Sequence, residues 1–433
     1  MIPTQLGKHY WGEWSSVFGV RIDYLSIIIY LTDIVWVLWT INQLRITRQK
    51  LKHLDGRANY QLRIKKLFTF RNIVLLLMMG VNVIFAQNKV VAVYRWLRIG
   101  QWWLTWRLVS KNKKKIIKYL FWIIPGWIIL ESFLGLAQVI NAGSLNGIWW
   151  WLGERRFTLG GIGIAQMRWL DEGMIRAYGT FSHPNSMAGF LLLAWWWWKT
   201  NLPPTPFFNK TGAKNIFFGN IFKWIVNWSA VLGIILAGSR TVWVMTIVLL
   251  IAEQLRITNY NNKITNYELR ITNYGSMLKK KEILGKFLLG VGIVMLILGV
   301  ININYRISDF LGGWDSEGWQ KREWLGLSSL KMIRSNPLFG VGAGNFLVRL
   351  MEYRVGNFYW LQPVHNIFLL AWSEIGIIGL LAIGGIALGK VMKINFKKYS
   401  WLLFIVIVTG MGDHYWLTLP QNSWLLAIIF GLL

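Results

Sequence analysis

HNIFLLAWSEIGIIGLLAIGGIAL, residues 365–388, decides the fold, because beyond its first two residues Glu374 is its only formal charge. Such a run has the roughly 17–25 residues that a bilayer-spanning helix requires. A water-facing helix of that length would carry a polar stripe, and this one does not. Upstream stands KREWLGLSSLKMIRSNPLFGVGAGNF, residues 321–346. Trp324, Leu327, Leu330 and Ile333 recur at three-residue spacing and predict a short amphipathic helix. Asn336-Pro337 ends it, since proline lacks a donor and restricts the residue before it. Gly340, Gly342 and Gly344 then predict a tight turn of the kind that brings backbone close to a ligand. His365-Asn366 stand at the mouth of the apolar helix. A plain connector between two spans needs none of this punctuation, so the functional reading starts here.

Outward from that stretch, apolar runs recur at about 25–41, 72–86, 90–109, 117–140, 186–198, 225–237, 242–251, 287–301, 401–411 and 424–433. The run at 90–109 carries Arg95, Arg98 and Arg107, and reads as a span or an interfacial helix. The expectation is an all-α, polytopic integral membrane bundle of about eleven spans. It forms a single membrane domain over 1–433, with a large outer loop at 302–363 that contains short helices. A net charge of +29 would suit a nucleic-acid binder. Its distribution argues for the lipid bilayer instead and for no nucleic acid. The Lys-rich loops near 45–66, 111–118, 199–223, 254–286 and 390–398 fall on one side, which the positive-inside rule makes cytoplasmic. The segments 141–185 and 302–363 and the turns at Arg240 and Asp413 fall on the other.

Trp149–Trp151 and Trp195–Trp198 lie at span ends and are expected to be interfacial belts. LRITNYN, NKITNYE and LRITNYG at 255–275 are three seven-residue repeats without a Leu seam, read as a poorly ordered cytoplasmic insertion rather than a coiled coil. The chain has no Cys, which excludes disulfides and thiolate metal sites. Residues 1–16 are polar and aromatic, so no cleavable signal peptide is expected.

The chemistry gathers on the outer face. That side is poor in Lys yet holds Arg155, Arg156, Arg168, Arg176, Arg240, Arg306, Arg322, Arg334, Arg349 and Arg354, with His183, His365 and His414. Guanidinium groups bind phosphate bidentately, and several together suit a pyrophosphate. Arg240 is the sharpest case, set between Ser239 and Thr241 in a minimal turn between two apolar runs. Its bland reading is snorkelling to the interface, and phosphate contact ranks above it. In RAYGTFSHPNSMAGF, 176–190, Asn185-Ser186 can cap the following helix, whose N-terminus is an anion site. Capping and ligand contact are equally good readings of His183 and Asn185. Asp413-His414-Tyr415 is a weaker signal. No GxSxG, no GxxxxGK[ST] and no outer DxD pair occurs, which argues against a serine hydrolase and ATP-driven transport. Among His183, His365, His414 and Asp413 only the adjacent pair has a ligand-like spacing.

Taken together, RAYGTFSHPN, GSRT at 238–241, NPLFGVGAGNF at 336–346 with Arg322 upstream, HNIFL with SEIGIIGL, and DHYWLTLPQ resemble the O-antigen ligase and polymerase superfamily, over about residue 140 to the end. The resemblance implies a metal-independent, cofactor-free, inverting glycosyltransferase. It would move a glycan from an undecaprenyl-pyrophosphate carrier to a glycan or lipid acceptor on the outer face of the cytoplasmic membrane. It also implies twelve helices, one more than this chain's count, as if an amino-terminal span were missing. Carried over, Arg240 and Arg322 match the pyrophosphate-binding arginines, with Arg334 a near competitor, and His365 matches the catalytic histidine. Arg176, His183, Asn185, Ser239, Arg334 and Asn366 are the further substrate-binding candidates, and Asn366 and Glu374 the candidate orienters of His365. Ligation to an acceptor and polymerisation of repeat units both fit. From another class, a transporter or flippase of anionic lipid-linked substrates would also want outer arginines, but it would place ionisable groups along a path at mid-membrane.

The side assignment is directly testable because the chain has no native thiol. Ser308→Cys and Ser316→Cys variants should react with an impermeant thiol reagent in intact cells, and a Thr265→Cys variant should not; the reverse pattern would put the arginines inside.

Overall fold

A computed structural model describes residues 4–52, 70–161, 163–169, 172–202, 213–265, 317–356, 361–391 and 396–433. It is mostly helical. The longer helices are α1 (Leu31–Lys52), α2 (Phe70–Phe85), α3 (Lys89–Lys111), α4 (Lys113–Ile140), α5 (Pro184–Thr200) and α6 (Ala213–Ala237). They continue as α7 (Arg240–Thr265), α8 (Glu317–Ser335), α9 (Ile367–Val391), α10 (Phe396–Gly412) and α11 (Pro420–Leu432). Among the described residues, three segments are long and apolar enough to cross a membrane: Lys113–Ile140, Gly219–Ala237 and Ile367–Gly385. Leu75–Phe85 and Lys398–Gly412 are apolar but shorter. The expected run at 287–301 lies outside the described residues. So does the repeat beyond Thr265, while its first part, 255–265, continues α7 as helix rather than forming an irregular insertion.

The chain is not purely helical. Gly7–Tyr10 (β1) pairs antiparallel with Ile27–Tyr30 (β4), enclosing a smaller hairpin of Ser16–Val17 (β2) and Val20–Arg21 (β3). Phe18 and Gly19, with φ of 50° and 77°, make the tight turn between β2 and β3. Gln166–Trp169 and Glu172–Ile175 form a third hairpin, β5–β6. These strands are shorter than the windows in which alternation can be read, so an all-α expectation overlooks them.

Helix α5 is the axis of the core. From Pro184 to Trp198 every residue except Asn185 is buried, and α4, α6, α7, α10 and α11 surround it. A helix apolar on all sides has to lie inside. Trp195, Trp197 and Trp198 are at most 1% exposed, so this cluster is core and not the interfacial belt expected. Two of these indoles have their polar handles paired inside: Trp195 Nε1 donates to Asn227 Oδ1 at 2.7 Å and Trp198 Nε1 to Phe121 O at 3.1 Å. Trp150 and Trp151 are exposed, as an interfacial position requires.

A second centre joins α2, α3, α8 and α9. Gly376 interrupts α9 with φ 66° and ψ 177°, which frees backbone groups on both sides of it. The segment after Pro337 takes up all four: Ile377 N donates to Pro337 O at 2.9 Å and Ile378 N to Leu338 O at 3.2 Å. In return Val341 N donates to Ser373 O at 2.8 Å and Gly342 N to Glu374 O at 3.0 Å. Asn82 of α2, fully buried, donates to Phe339 O and Glu374 O and accepts from Ala343 N and Trp96 Nε1. The turn has positive φ at Gly340, Gly342 and Gly344, as expected. What approaches closely is the chain itself and not a ligand: a Cβ on Gly340 would stand 2.5 Å from Glu374 O and one on Gly342 2.5 Å from the Ala86 side chain.

The two tryptophan clusters should therefore respond differently. Trp197→Ala opens a core cavity and should cost about 3–5 kcal/mol, whereas Trp151→Ala should change stability by under about 0.5 kcal/mol. Thermal unfolding of the two detergent-solubilised variants would separate them, and equal shifts would return Trp195–Trp198 to the membrane interface.

Candidate functional site

The loop 176–183 is braced from beneath before it carries any chemistry. Gln138 of α4, fully buried, accepts from Tyr178 N and Gly179 N and donates to Gly179 O. One turn or two below, Glu131 accepts from Thr180 N and Thr180 Oγ1, each at 2.8 Å. Gln421 of α11 donates to Thr180 O at 3.1 Å. With its backbone so held, the loop delivers Arg176 at one end and His183 at the other. His183 caps α5, its Nδ1 accepting from Asn185 N at 3.1 Å, and Pro184 starts the helix where no donor is needed.

From Arg176 a chain of polar contacts crosses the end of the bundle. Arg176 Nε donates to Ala237 O at 2.7 Å and Nη2 to Asn185 Oδ1 at 2.5 Å. Asn185 Nδ2 passes the contact to Asp413 Oδ2 at 2.8 Å. Asp413 Oδ1 accepts from His414 N at 2.7 Å and lies 3.6 Å from His365 Nδ1. The His365 and His414 rings sit 5.3 Å apart, tilted by 33°. His414 Nδ1 bonds Thr418 Oγ1 at 2.8 Å, and that hydroxyl donates to His414 O.

Electrostatics follow from this order. Burial, joined by the charges of Arg240 and Arg322 and opposed by Tyr178 and Asp413, lowers Arg176 to about 10. Those two arginines therefore act on Arg176, although they come from α7 and α8. Burial would raise the Asp413 carboxyl, but the His365 contact and the charges of His414, His365 and His183 hold it well below the ordinary carboxylate range. Burial likewise pushes His183 down to about 3 and His414 down to about 4, against the pull of Asp413.

Residues 225–384 match the O-antigen ligase family. This chain carries an O-antigen ligase family domain. That family is one of membrane glycosyltransferases of the O-antigen ligase and polymerase type. No curated protein and no solved structure matches the chain. The domain is narrower than the stretch from about 140 to the end over which the motifs resemble the family. It contains Ser239, Arg240, Arg322, Arg334, His365 and Asn366; Arg176, His183, Asn185, Asp413 and His414 reach the same place from outside it.

Set against the O-antigen ligase expectation, the placements divide. Arg240 opens α7 and Arg322 sits in the first two turns of α8, both exposed. Arg334 is twelve residues beyond Arg322 on the same helix, about 18 Å along its axis at 1.5 Å per residue. Ser239 is 6% exposed, and its carbonyl accepts from Trp243 N. Asn366 Oδ1 accepts from Phe368 N and Leu369 N, so its side chain caps α9. Glu374 accepts from Tyr24 Oη at 2.7 Å and from Phe346 N; it is bound away from His365. The carboxylate beside His365 is Asp413, which sequence spacing ranked low. Its signal was present as an Asp-His pair in an outer turn, but only the fold brings that turn to His365.

His365, Asp413 and His414 each offer one atom within 4.8 Å of the others, a spacing that could hold a metal ion. The surroundings oppose it. Asp413 is already engaged by Asn185 and His414 N, and the Arg176 guanidinium is close enough to act on it electrostatically.

A pH dependence follows with a definite sign. Folded His183 and His414 titrate below the ordinary 6.5 of an unfolded histidine. Between about 6.5 and about 4 the unfolded chain therefore binds more protons, and stability falls as pH is lowered through that window. The depressed Asp413 carboxyl loses its contribution only below the ordinary carboxylate range. A His183→Gln, His414→Gln double variant should flatten the pH dependence of the melting temperature from pH 7 to 4; an unchanged slope would place the titration elsewhere.

Proposed function

We propose that the protein is an inverting glycosyltransferase that moves a glycan from an undecaprenyl-pyrophosphate carrier to a hydroxyl of a glycan or lipid acceptor at the extracytoplasmic face of the membrane. The observation that carries this reading is the contact chain Arg176–Asn185–Asp413–His365, built from three separated segments, with the charges of Arg240 and Arg322 acting on its first member. A row of cations ending at a carboxylate-backed histidine is what a pyrophosphate leaving group and a hydroxyl nucleophile require.

The chemistry balances without a further reactant. The acceptor oxygen forms a bond to the anomeric carbon while the bond from that carbon to the pyrophosphate oxygen breaks, and the lipid pyrophosphate departs with the electron pair. Arg240 and Arg322 neutralise the charge that grows on it, in a low-dielectric site where such contacts are strongest. Arg176 is held rigidly by Ala237 O and Asn185 and adds a fixed positive field. His365 takes the acceptor proton on Nε2, because Nδ1 faces Asp413. Asp413 orients the ring and stabilises the imidazolium, and the 3.6 Å separation is of the kind that tightens when substrate binds. Attack opposite the leaving group inverts the carbon. Guanidinium groups do the work that a divalent cation does in other phosphate-leaving reactions, so transfer should survive exhaustive chelation with EDTA.

Purified protein, lipid-pyrophosphate glycan and candidate acceptors provide the test. A lengthening ladder of products identifies a polymerase and one discrete addition a ligase; no transfer overturns the reading and favours the flippase. Arg240→Lys should remain strongly impaired, since lysine keeps the charge and loses the fork. His365→Ala should lose roughly 10²–10⁴-fold in rate with donor binding retained. Near-normal transfer by that variant would remove His365 from the mechanism.

A further inference from the structure

Beside the histidine pair, away from Arg176, a cavity of about 240 Å³ opens between the amino-terminal hairpins, α3 and the start of α11. His414, Thr418 and Ser182 form the wall it shares with the site, and Ser182 adjoins His183. The facing wall is aromatic and basic, with Tyr94, Trp102, Arg95 and Trp424. Arg176, Arg240, Arg322 and His365 are not among its lining residues. Arg95 is fixed in this lining, its Nη2 donating to Tyr24 O at 2.6 Å and its guanidinium carbon lying 4.1 Å from the Tyr24 ring centroid.

The lining fits one class of molecule. Flat aromatic faces match the C–H face of a sugar ring, and the polar lining residues, among them Ser182, Thr418 and Ser423, match its hydroxyls. The volume lies below the roughly 300–1,000 Å³ of pockets that enclose drug-sized ligands, which suits one sugar unit rather than an oligosaccharide. We propose that this cavity holds the sugar unit of the acceptor that supplies the attacking hydroxyl, and so is the acceptor subsite. The assignment rests on the glycosyl-transfer reading. It gives the reaction two entrances: the carrier pyrophosphate approaches from the arginines, the acceptor from the amino-terminal hairpins, and they meet at His365 and His414. It also gives residues 4–30, which lie outside the family domain, a direct part in choosing the acceptor.

The absence of native cysteine makes the cavity addressable. Ser182→Cys and Gln5→Cys variants of the full-length protein place one thiol on opposite walls. Each is converted to a benzyl mixed disulfide with a methanethiosulfonate reagent, with completeness checked by mass spectrometry, and compared with itself before modification and after reduction. Transfer should fall at least ten-fold on modification and return on reduction, while binding of radiolabelled lipid-pyrophosphate glycan stays within two-fold. Transfer that persists within two-fold after full modification of both variants overturns the assignment, as does loss of donor binding, which would give the cavity to the donor glycan. A protein that transfers no glycan before any modification defeats the glycosyltransferase reading, and the acceptor assignment falls with it.

Discussion

The exchange of four backbone hydrogen bonds between the break in α9 and the segment after Pro337 is the constraint from which the rest of this end of the bundle follows. A helix interrupted at membrane depth leaves amides and carbonyls that have no water to turn to, and each costs several kcal/mol if left alone. Here the interruption is answered group for group, two donors outward and two inward. The arrangement needs positive φ at Gly376 and Gly340, and it leaves no room for a side chain: a Cβ on Gly376 would stand 2.2 Å from Leu338 O. Its effect is to clamp α8, which carries Arg322, to α9, which starts beside His365. The Gly-rich turn acts on chemistry at a distance, by fixing the spacing between a cation and a candidate base.

At the mouth of the site the organising group is a carboxylate. Asp413 is 7% exposed and keeps its charge with hydrogen bonds from Asn185 Nδ2 and His414 N on its two oxygens. Burial holds His414 and His183 neutral at ordinary pH, so the positive charge of this region resides on the arginines. That separation of roles, fixed cations on one flank and neutral imidazoles on the other, keeps anion binding and proton acceptance from competing for one group. Asn185 links the flanks and can do so because its amide donates to Asp413 and accepts from Arg176 at once.

Much of this was legible in the sequence because it rests on local rules. Long apolar runs, the stop at Asn336-Pro337 and the positive φ at Gly340, Gly342 and Gly344 follow from covalent geometry and solvent. The meeting of Arg176, Asn185 and His365 at one end followed from charge alternation along the chain. What the sequence hid depends on which neighbour a residue meets. Four consecutive tryptophans read as an interfacial belt until Asn227 and Phe121 O are seen to satisfy two of the indoles in the core. Glu374 read as a possible partner of His365 until Tyr24, 350 residues away in sequence, claimed it. Asp413 carried only the weak signal of its pairing with the adjacent His414, because its other partners, His365 and Asn185, lie far upstream. The hairpins of residues 4–30 were too short to register as strands.

The bracing of the 176–183 loop has a consequence for biogenesis. Gln138 and Glu131 hold that loop from α4, but Gln421 and Asn422 reach it and α5 from the last helix, Asn422 bonding both Ser186 Oγ and Ser186 O. Asp413 arrives with the same final hairpin. During synthesis the arginines, the first histidine and the long core helix are therefore all in the membrane before the anion that arranges them is made. A nascent chain possesses the cationic surface early and the ordered centre only once residues 413–422 have been made, so assembly of the mouth waits for that segment.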